Sequence, residues 1–197
     1  MLVHLSSNHV VITIDGQTII VPRGGLEIEF PRILHTLMEK HTIKDIYVIN
    51  GPGSFTNLRI GCLCLNMLDM IQSRLSDNQK KITLHTIDKI HLFTTLYRRG
   101  YIGSHGLLYI GQQKHGWSIH LDTGLVSKTS LLDIDSYHRI DLIDGIDDHR
   151  LVSFNLDNHS LVINQGSISH SMSIHEVGFQ YVDQLTPHYM IEPNIGK

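Results

Sequence analysis

Positive charge is scarce in this chain. Sixteen lysines and arginines face nineteen aspartates and glutamates, a formal charge of -3 with histidine neutral. Non-specific nucleic-acid affinity comes mainly from basic side chains that neutralise phosphates, so composition supplies no global reason to hold a polyanion. An RNA contact would need a local basic patch or a basic partner. Cysteine is nearly absent too. Cys62 and Cys64 fall two apart in an apparent helix, where side chains diverge and a disulfide does not close, which points to a reduced compartment. No run reaches about 18 uninterrupted apolar residues, the length a membrane span needs. Residues 1–25 show no basic stretch leading into an apolar one, as a secretion signal would. The expectation is a cytoplasmic protein without membrane contact.

What is present suffices for a core: 197 residues, 41% apolar, allow one or two globular lobes. Fifteen histidines invite a metal, but their spacing does not favour one. His35 and His41 are six apart rather than four, and Cys62-Leu63-Cys64 is not CxxC. The acidic passage Asp133–Asp148 spaces its aspartates irregularly, without the glycine at position six and the closing glutamate of a calcium loop. No metal is expected, and the histidines read as surface and edge-strand groups making ordinary hydrogen bonds.

Periodicity predicts three strands, Leu2–Leu5, Val10–Ile14 and Thr18–Val21, the last two joined by an Asp15-Gly16 turn. A helix follows over Leu26–Lys40, with Pro31 tolerable in its first turn. Ile46–Ile49 reads as a buried strand, Asn57–Leu75 as a helix, Thr83–Thr86 as a strand, and Asp88 as the cap of a helix carrying Phe93 and Leu96. The order βββαβαβα predicts an α/β mixed sheet with helices on its faces. Beyond Gly100 come short strands: a hairpin of Leu107–Ile110 and Trp117–Leu121, then Leu151–Phe154 and Leu161–Ile163. A last helix is expected through Ile174, Val177, Tyr181, Val182 and Leu185. The expected divisions are a first lobe over residues 1–99, a reduced second lobe over 100–172, and a C-terminal helix and tail over 173–197 that packs back on both.

The stretch Gly51-Pro52-Gly53-Ser54-Phe55-Thr56 is the chemical candidate. Two glycines let backbone approach a ligand or turn sharply, and Ser54 or Thr56 can cap a helix whose positive end attracts anions. No P-loop lysine stands there, and Arg59 is the nearby cation. Anion binding and a structural tight turn both fit. The helix beyond is apolar on nearly every side: Leu58, Cys62, Leu65 and Asp69 form one stripe, Ile60, Leu63, Met67 and Ile71 another, with Cys64, Leu68 and Met70 between. A helix on a sheet needs one apolar face, so this one calls for cover from a second side. Either the preceding helix or a partner protein would supply it.

GPGSFTNLRIG, residues 51–61, closely resembles the GPGSFTGLRIG signature of the TsaB (YeaZ) family. That family is the dimerisation subunit of the bacterial machinery that makes threonylcarbamoyladenosine in tRNA. The flanking elements, the YIGQQKHGW segment and the PHYMIEPNIG tail resemble the family as well, while the middle of the second half matches poorly. Asn57 replaces a glycine, a residue exchange that would suit a left-handed position. The resemblance implies an actin-like ATPase (ASKHA, ribonuclease H-like) fold. The acidic residue this superfamily places on its first strand is missing from Leu2-Val3-His4-Leu5-Ser6-Ser7, and the second-lobe acidic position is Gly111 or Gln112. Independent phosphoryl chemistry needs metal clamping, so no catalytic residue, metal or cofactor of its own is expected, with ATP or ADP a candidate ligand of the assembled complex.

The partners implied are a TsaD-like catalytic subunit, a TsaE-like ATPase, a second copy when the chain is alone, and tRNA only indirectly. The implied interface uses both helices, with Ile33, Leu34 and Leu37 on the first and Leu58, Cys62, Leu65, Met67 and Asp69 on the second. The alternative is a small actin-like kinase or hydrolase holding a nucleotide on Gly51–Thr56. Direct tRNA capture through Arg98-Arg99 and Lys114-His115 is weaker on so acidic a chain.

Overall fold

A computed structural model describes residues 1–7, 9–75, 82–108, 115–130, 138–139, 152–157, 159–165 and 167–189. The amino-terminal meander is β1 (Leu2–His4), β2 (Val10–Ile14) and β3 (Gln17–Val21). Asp15 and Gly16 both have positive φ, 48° and 76°, as a two-residue hairpin turn requires. Helix α1 (Leu26–Lys40) buries Leu26, Phe30, Leu34 and Leu37. Pro31 lies in its second turn rather than its first, so the Glu27 carbonyl lacks its intrahelical donor. Glu27 is exposed, where water can serve instead.

Next come β4 (Asp45–Ile49), α2 (Phe55–Leu75), β5 (Thr83–Ile87) and α3 (Lys89–Arg98). Helix α2 starts two residues before the expected Asn57. Asp88 caps α3 by accepting from the His91 N–H at 2.9 Å. Strand β4 runs parallel to both β1 and β5. The second half adds β6 (His105–Leu108), β7 (His115–His120), β8 (Leu125–Ser130) and β9 (His138–Arg139) in one four-stranded sheet. β10 (Val152–Asp157), β11 (Ser160–Gln165) and β12 (Ile168–Ser173) form an antiparallel three-stranded sheet. Strands β8 and β12 were not foreseen, because LVSKTS and ISHSMS are polar along most of their length and carry no clean alternation.

The expected last helix is mostly something else. Only α4 (Ile174–Val177) is helical, opened by a Ser173/Glu176 capping box and closed by Gly178 at φ 91°. A left-handed glycine ends a helix, and the chain then extends into β13 (Gln180–Val182), which pairs antiparallel with β5. Tyr181 and Val182 are therefore strand residues. The hairpin tip at Gly111–Lys114, the second-lobe position Gly111 or Gln112, the acidic passage apart from residues 138–139, and the tail beyond Tyr189 lie outside the described residues.

The main sheet has the order β13-β5-β4-β1-β2-β3, mixed as expected. Alternation along its strands divides the core in two. Ile46 and Val48 of β4 join α1 and α2 on one face. Tyr47 and Ile49 look the other way, toward α3 and toward Ile119, Phe154, Leu161 and Ile163 of the second half. Phe154 meets Phe93 edge-on at 5.9 Å and His4 at 6.0 Å. His4 is a correction to the surface reading of the histidines, since it sits buried on the central β1. Burial, and secondarily the charge of Lys89, hold it well below its ordinary value of 6.5. Among the described residues, no group of three or more His, Cys, Asp and Glu is placed to hold a metal ion, and no helix is long and apolar enough to cross a membrane.

Candidate functional site

The loop between β4 and α2 lies where the parallel strands end. Gly51, Pro52, Gly53 and Ser54 are all buried, and each glycine is there for close approach. At Gly51, with φ 72°, a Cβ would collide with the backbone carbonyl of His188; at Gly53 it would collide with that of Ser6. The chain thus lays two of its own segments over the loop. Asn50 Nδ2 donates to the Thr186 carbonyl at 2.7 Å. The Asp88 carboxylate pairs with His188 Nδ1, and Phe55 stacks on Tyr189 with ring centroids 5.0 Å apart.

Asn57 is not left-handed, as its replacement of a glycine had suggested. It is helical and buried, and its Nδ2 donates to the Ser7 carbonyl at 2.8 Å, so it ties the β1–β2 connection to α2. Ser54 stands at the start of α2, where the Leu58 N–H bonds its carbonyl at 3.0 Å. Its hydroxyl is buried with no hydrogen-bond partner and does not cap the helix. Thr56 accepts from Arg23 at 3.4 Å. Arg59 is exposed and is in no ion pair among the described residues.

Sequence reasoning found no lysine for this loop, yet the fold delivers one from elsewhere. Lys89 opens α3, is fully buried, and places Nζ 2.6 Å from the Ser6 carbonyl while its own N–H bonds the Gly51 carbonyl at 2.7 Å. A signal was available: the first turn of a helix is the wrong end of the dipole for a cation, so a lysine there is held by something outside its helix. Beside it, His4 Nε2 and Ser6 Oγ are 3.0 Å apart, the spacing of a base and a nucleophile. Ser6 is fully buried, so no substrate reaches it in this arrangement.

The interface candidates divide. Leu34, Leu37, Leu58, Cys62 and Leu65 lie in the chain's own core, because the sheet needs them as its apolar cover, and of these five Leu34 also lines the groove beside α2. Burial pushes the Cys62 thiol up to about 12. Ile33 is half-buried, packed against that core, and Asp69 is half-buried as well. Met67 faces outward. With it come Leu63, Met70 and Ile71, so that 57%, 47%, 44% and 44% of Leu63, Met67, Met70 and Ile71 are exposed. Beside this strip a groove of about 500 Å³ runs between α1 and α2, lined by Leu34, Met38, Cys64, Met67, Leu68 and Ile71 among others.

In a comparison of folds, the chain is similar to YeaZ from Pseudomonas aeruginosa, with 17% identity and a TM-score of 0.36 over 66% of this chain and 63% of that one. It is similar at 16% identity and a TM-score of 0.37, over 66% of this chain and 62% of the other, to an uncharacterized protein with similarity to peptidase YeaZ from Pseudomonas aeruginosa. The chain spans a little under two thirds of the length of each. No protein-family model matches the sequence, and no curated protein matches it. The functional reading therefore stands on the residues themselves.

The loop end of α2 is closed by backbone on both sides, whereas the far half presents flexible, polarizable methionines beside a groove, a surface able to adapt to a partner.

Proposed function

We propose that the chain is a non-catalytic dimerisation and scaffold subunit in the N6-threonylcarbamoyladenosine modification of tRNA, built on an actin-like ATPase fold with a reduced second lobe. It docks the open strip of α2 and the α1–α2 groove onto a TsaD-like catalytic subunit, which carries the metal and the acyl transfer. A TsaE-like ATPase joins the assembly, ATP or ADP binds only in the complex, and tRNA meets this chain indirectly. Alone, the same strip pairs two copies about a two-fold axis. The observation that carries the reading is the exposure of Leu63, Met67, Met70 and Ile71 on a helix whose opposite side is core. The partner's identity rests on the resemblance of GPGSFTNLRIG. Mixing the chain with the TsaD-like subunit of its own organism should give a complex by size and restore tRNA modification to a strain lacking the chain. A monomer that ignores that subunit at micromolar concentration would sink the reading.

One observation favours the nucleotide-using alternative: the buried Ser54 hydroxyl, without a partner at the start of a 21-residue helix. That reading requires the tail and Ser6 to lift away from Gly51 and Gly53. It predicts ATP turnover by the isolated chain, lost in Ser54→Ala and Arg59→Ala, and an isolated chain without turnover removes it.

A further inference from the structure

The open strip of α2 is flanked by charge. Where the chain leaves β13 it crosses α2, and a recess of about 290 Å³ lies between them, lined by Asn66, Met67, Asp69, Met70, Asp183 and Gln184. Its support is firm. Asn66 Nδ2 donates to the Leu185 carbonyl at 2.9 Å and Asn66 Oδ1 accepts from the Leu185 N–H at 2.8 Å, and Leu185 is buried in the core. Asp183 and Gln184 are thus carried on a segment clamped to the helix.

Two carboxylates border this recess beside two exposed methionines. Asp183 accepts from the Tyr181 hydroxyl. Asp69 Oδ1 is buried and has no hydrogen-bond partner, and neither carboxylate is in an ion pair among the described residues. Their negative field reaches a neighbour: the Tyr181 phenol is raised, first by its bond to Asp183, then by desolvation and by repulsion from Asp183 and Asp69. A carboxylate oxygen shut from water without a donor is destabilising. Asp69 as a residue is only half-buried and lines the recess with Asp183, Met67 and Met70, so a partner that covers the methionines also covers both carboxylates.

We propose that this recess receives a lysine or arginine side chain of the docked partner, presented between apolar side chains on one of its helices. The proposal rests on the docking reading above and names the chemistry the partner must bring. Charge complementarity selects it: apolar residues alone would cover both carboxylates without bringing a counter-charge. A guanidinium fits best, since its planar fork can bridge two carboxylates while its stem lies along the methionines. A divalent cation fits less well, because it wants six or more oxygens and the Asn66 amide is already engaged.

Calorimetry of the full chain against the TsaD-like subunit, at low and high salt, tests this with Asp69→Asn, Asp183→Asn, the double variant, and Met67→Asp as a control on the strip. The Asn variants keep shape and lose charge; thermal melts report their folding, and Asp183→Asn carries the test should Asp69→Asn disturb the helix. Each single variant is expected to weaken binding roughly tenfold to a hundredfold, and the double variant to lose the salt dependence of the wild type. Wild type that binds, Met67→Asp that does not, and Asn variants indistinguishable from wild type would overturn the recess and leave the docking face standing. Wild type that fails to bind would overturn both. A homodimer that dissociates on Asp69→Asn with the partner absent would assign the cation to a second copy and overturn the proposal. So would a melting temperature of the free chain that millimolar magnesium or calcium raises in wild type and not in Asp69→Asn.

Discussion

On α2, Leu58, Cys62 and Leu65 are enclosed by the sheet and the tail, while Leu63, Met67, Met70 and Ile71 of the same helix look outward. The loop end is held by backbone contacts from Ser6 and His188, by Asn57 and by Lys89; the far half has α1 beside it and an open groove. Equal oiliness thus has two uses. Where glycines allow backbone to come close, the apolar side chains become core, and where the crossing segments leave them uncovered, they remain available as a contact face.

The comparison can be broken most directly by trimming each side. Leu65→Ala is expected to lose about 3 kcal/mol in urea unfolding, whereas Met67→Ala, two residues on, should stay within about 0.5 kcal/mol. Equal losses would mean the strip is core after all. Gly53→Ala drives a Cβ into the Ser6 carbonyl, and backbone cannot move aside as a side chain tip can. A loss of about 3 kcal/mol is expected, with failure to express folded protein the extreme case. A mild effect would show that the loop is less sealed than its contacts indicate.

A smaller effect reads the electrostatics of the sealed end. His4 stays neutral in the fold, held below 6.5 by burial and by Lys89, while the unfolded chain protonates it as pH falls past that value. The unfolded state then binds the extra proton, so stability declines below about pH 6.5, by at most ~1.4 kcal/mol per pH unit, and levels above it. Denaturation between pH 5 and 8 should show this slope, flattened in His4→Gln; an unchanged slope in that variant would place its origin elsewhere. Smallest of all is a labelling contrast. Burial raises both thiols, Cys62 to about 12 and Cys64 less, so a thiol reagent should modify Cys64 slowly and Cys62 only on unfolding. Docking in the groove should then protect Cys64, which lines it.

Much of the first half was legible because its signals are local. The Asp15-Gly16 turn, the Asp88 cap and the alternation in β4 each depend on neighbours in sequence. The errors have an equally physical source. Tyr181 and Val182 share helical spacing with Ile174 and Val177, and only Gly178 at φ 91° separates them into strand and helix. Asn57 could be seen as a substitute for glycine but not as a donor to Ser7, a residue 50 positions away. For the same reason five of the eight interface candidates are core: hydrophobicity tells that a residue seeks cover, not what provides it.

By itself, the sequence settled the element order of the first hundred residues, the presence of a glycine-rich turn leading into an over-apolar helix, and the lack of a lysine within that turn. Turn chemistry and side-chain periodicity act over a few residues, and so they survive without coordinates. Only the tertiary structure decided that the turn is roofed by Ser6 and His188, that Lys89 reaches it from α3, that β13 rather than a helix closes the sheet, and which side of α2 is left open. These outcomes join residues up to about 140 positions apart, where packing space and hydrogen-bond satisfaction, not local preference, choose the partner.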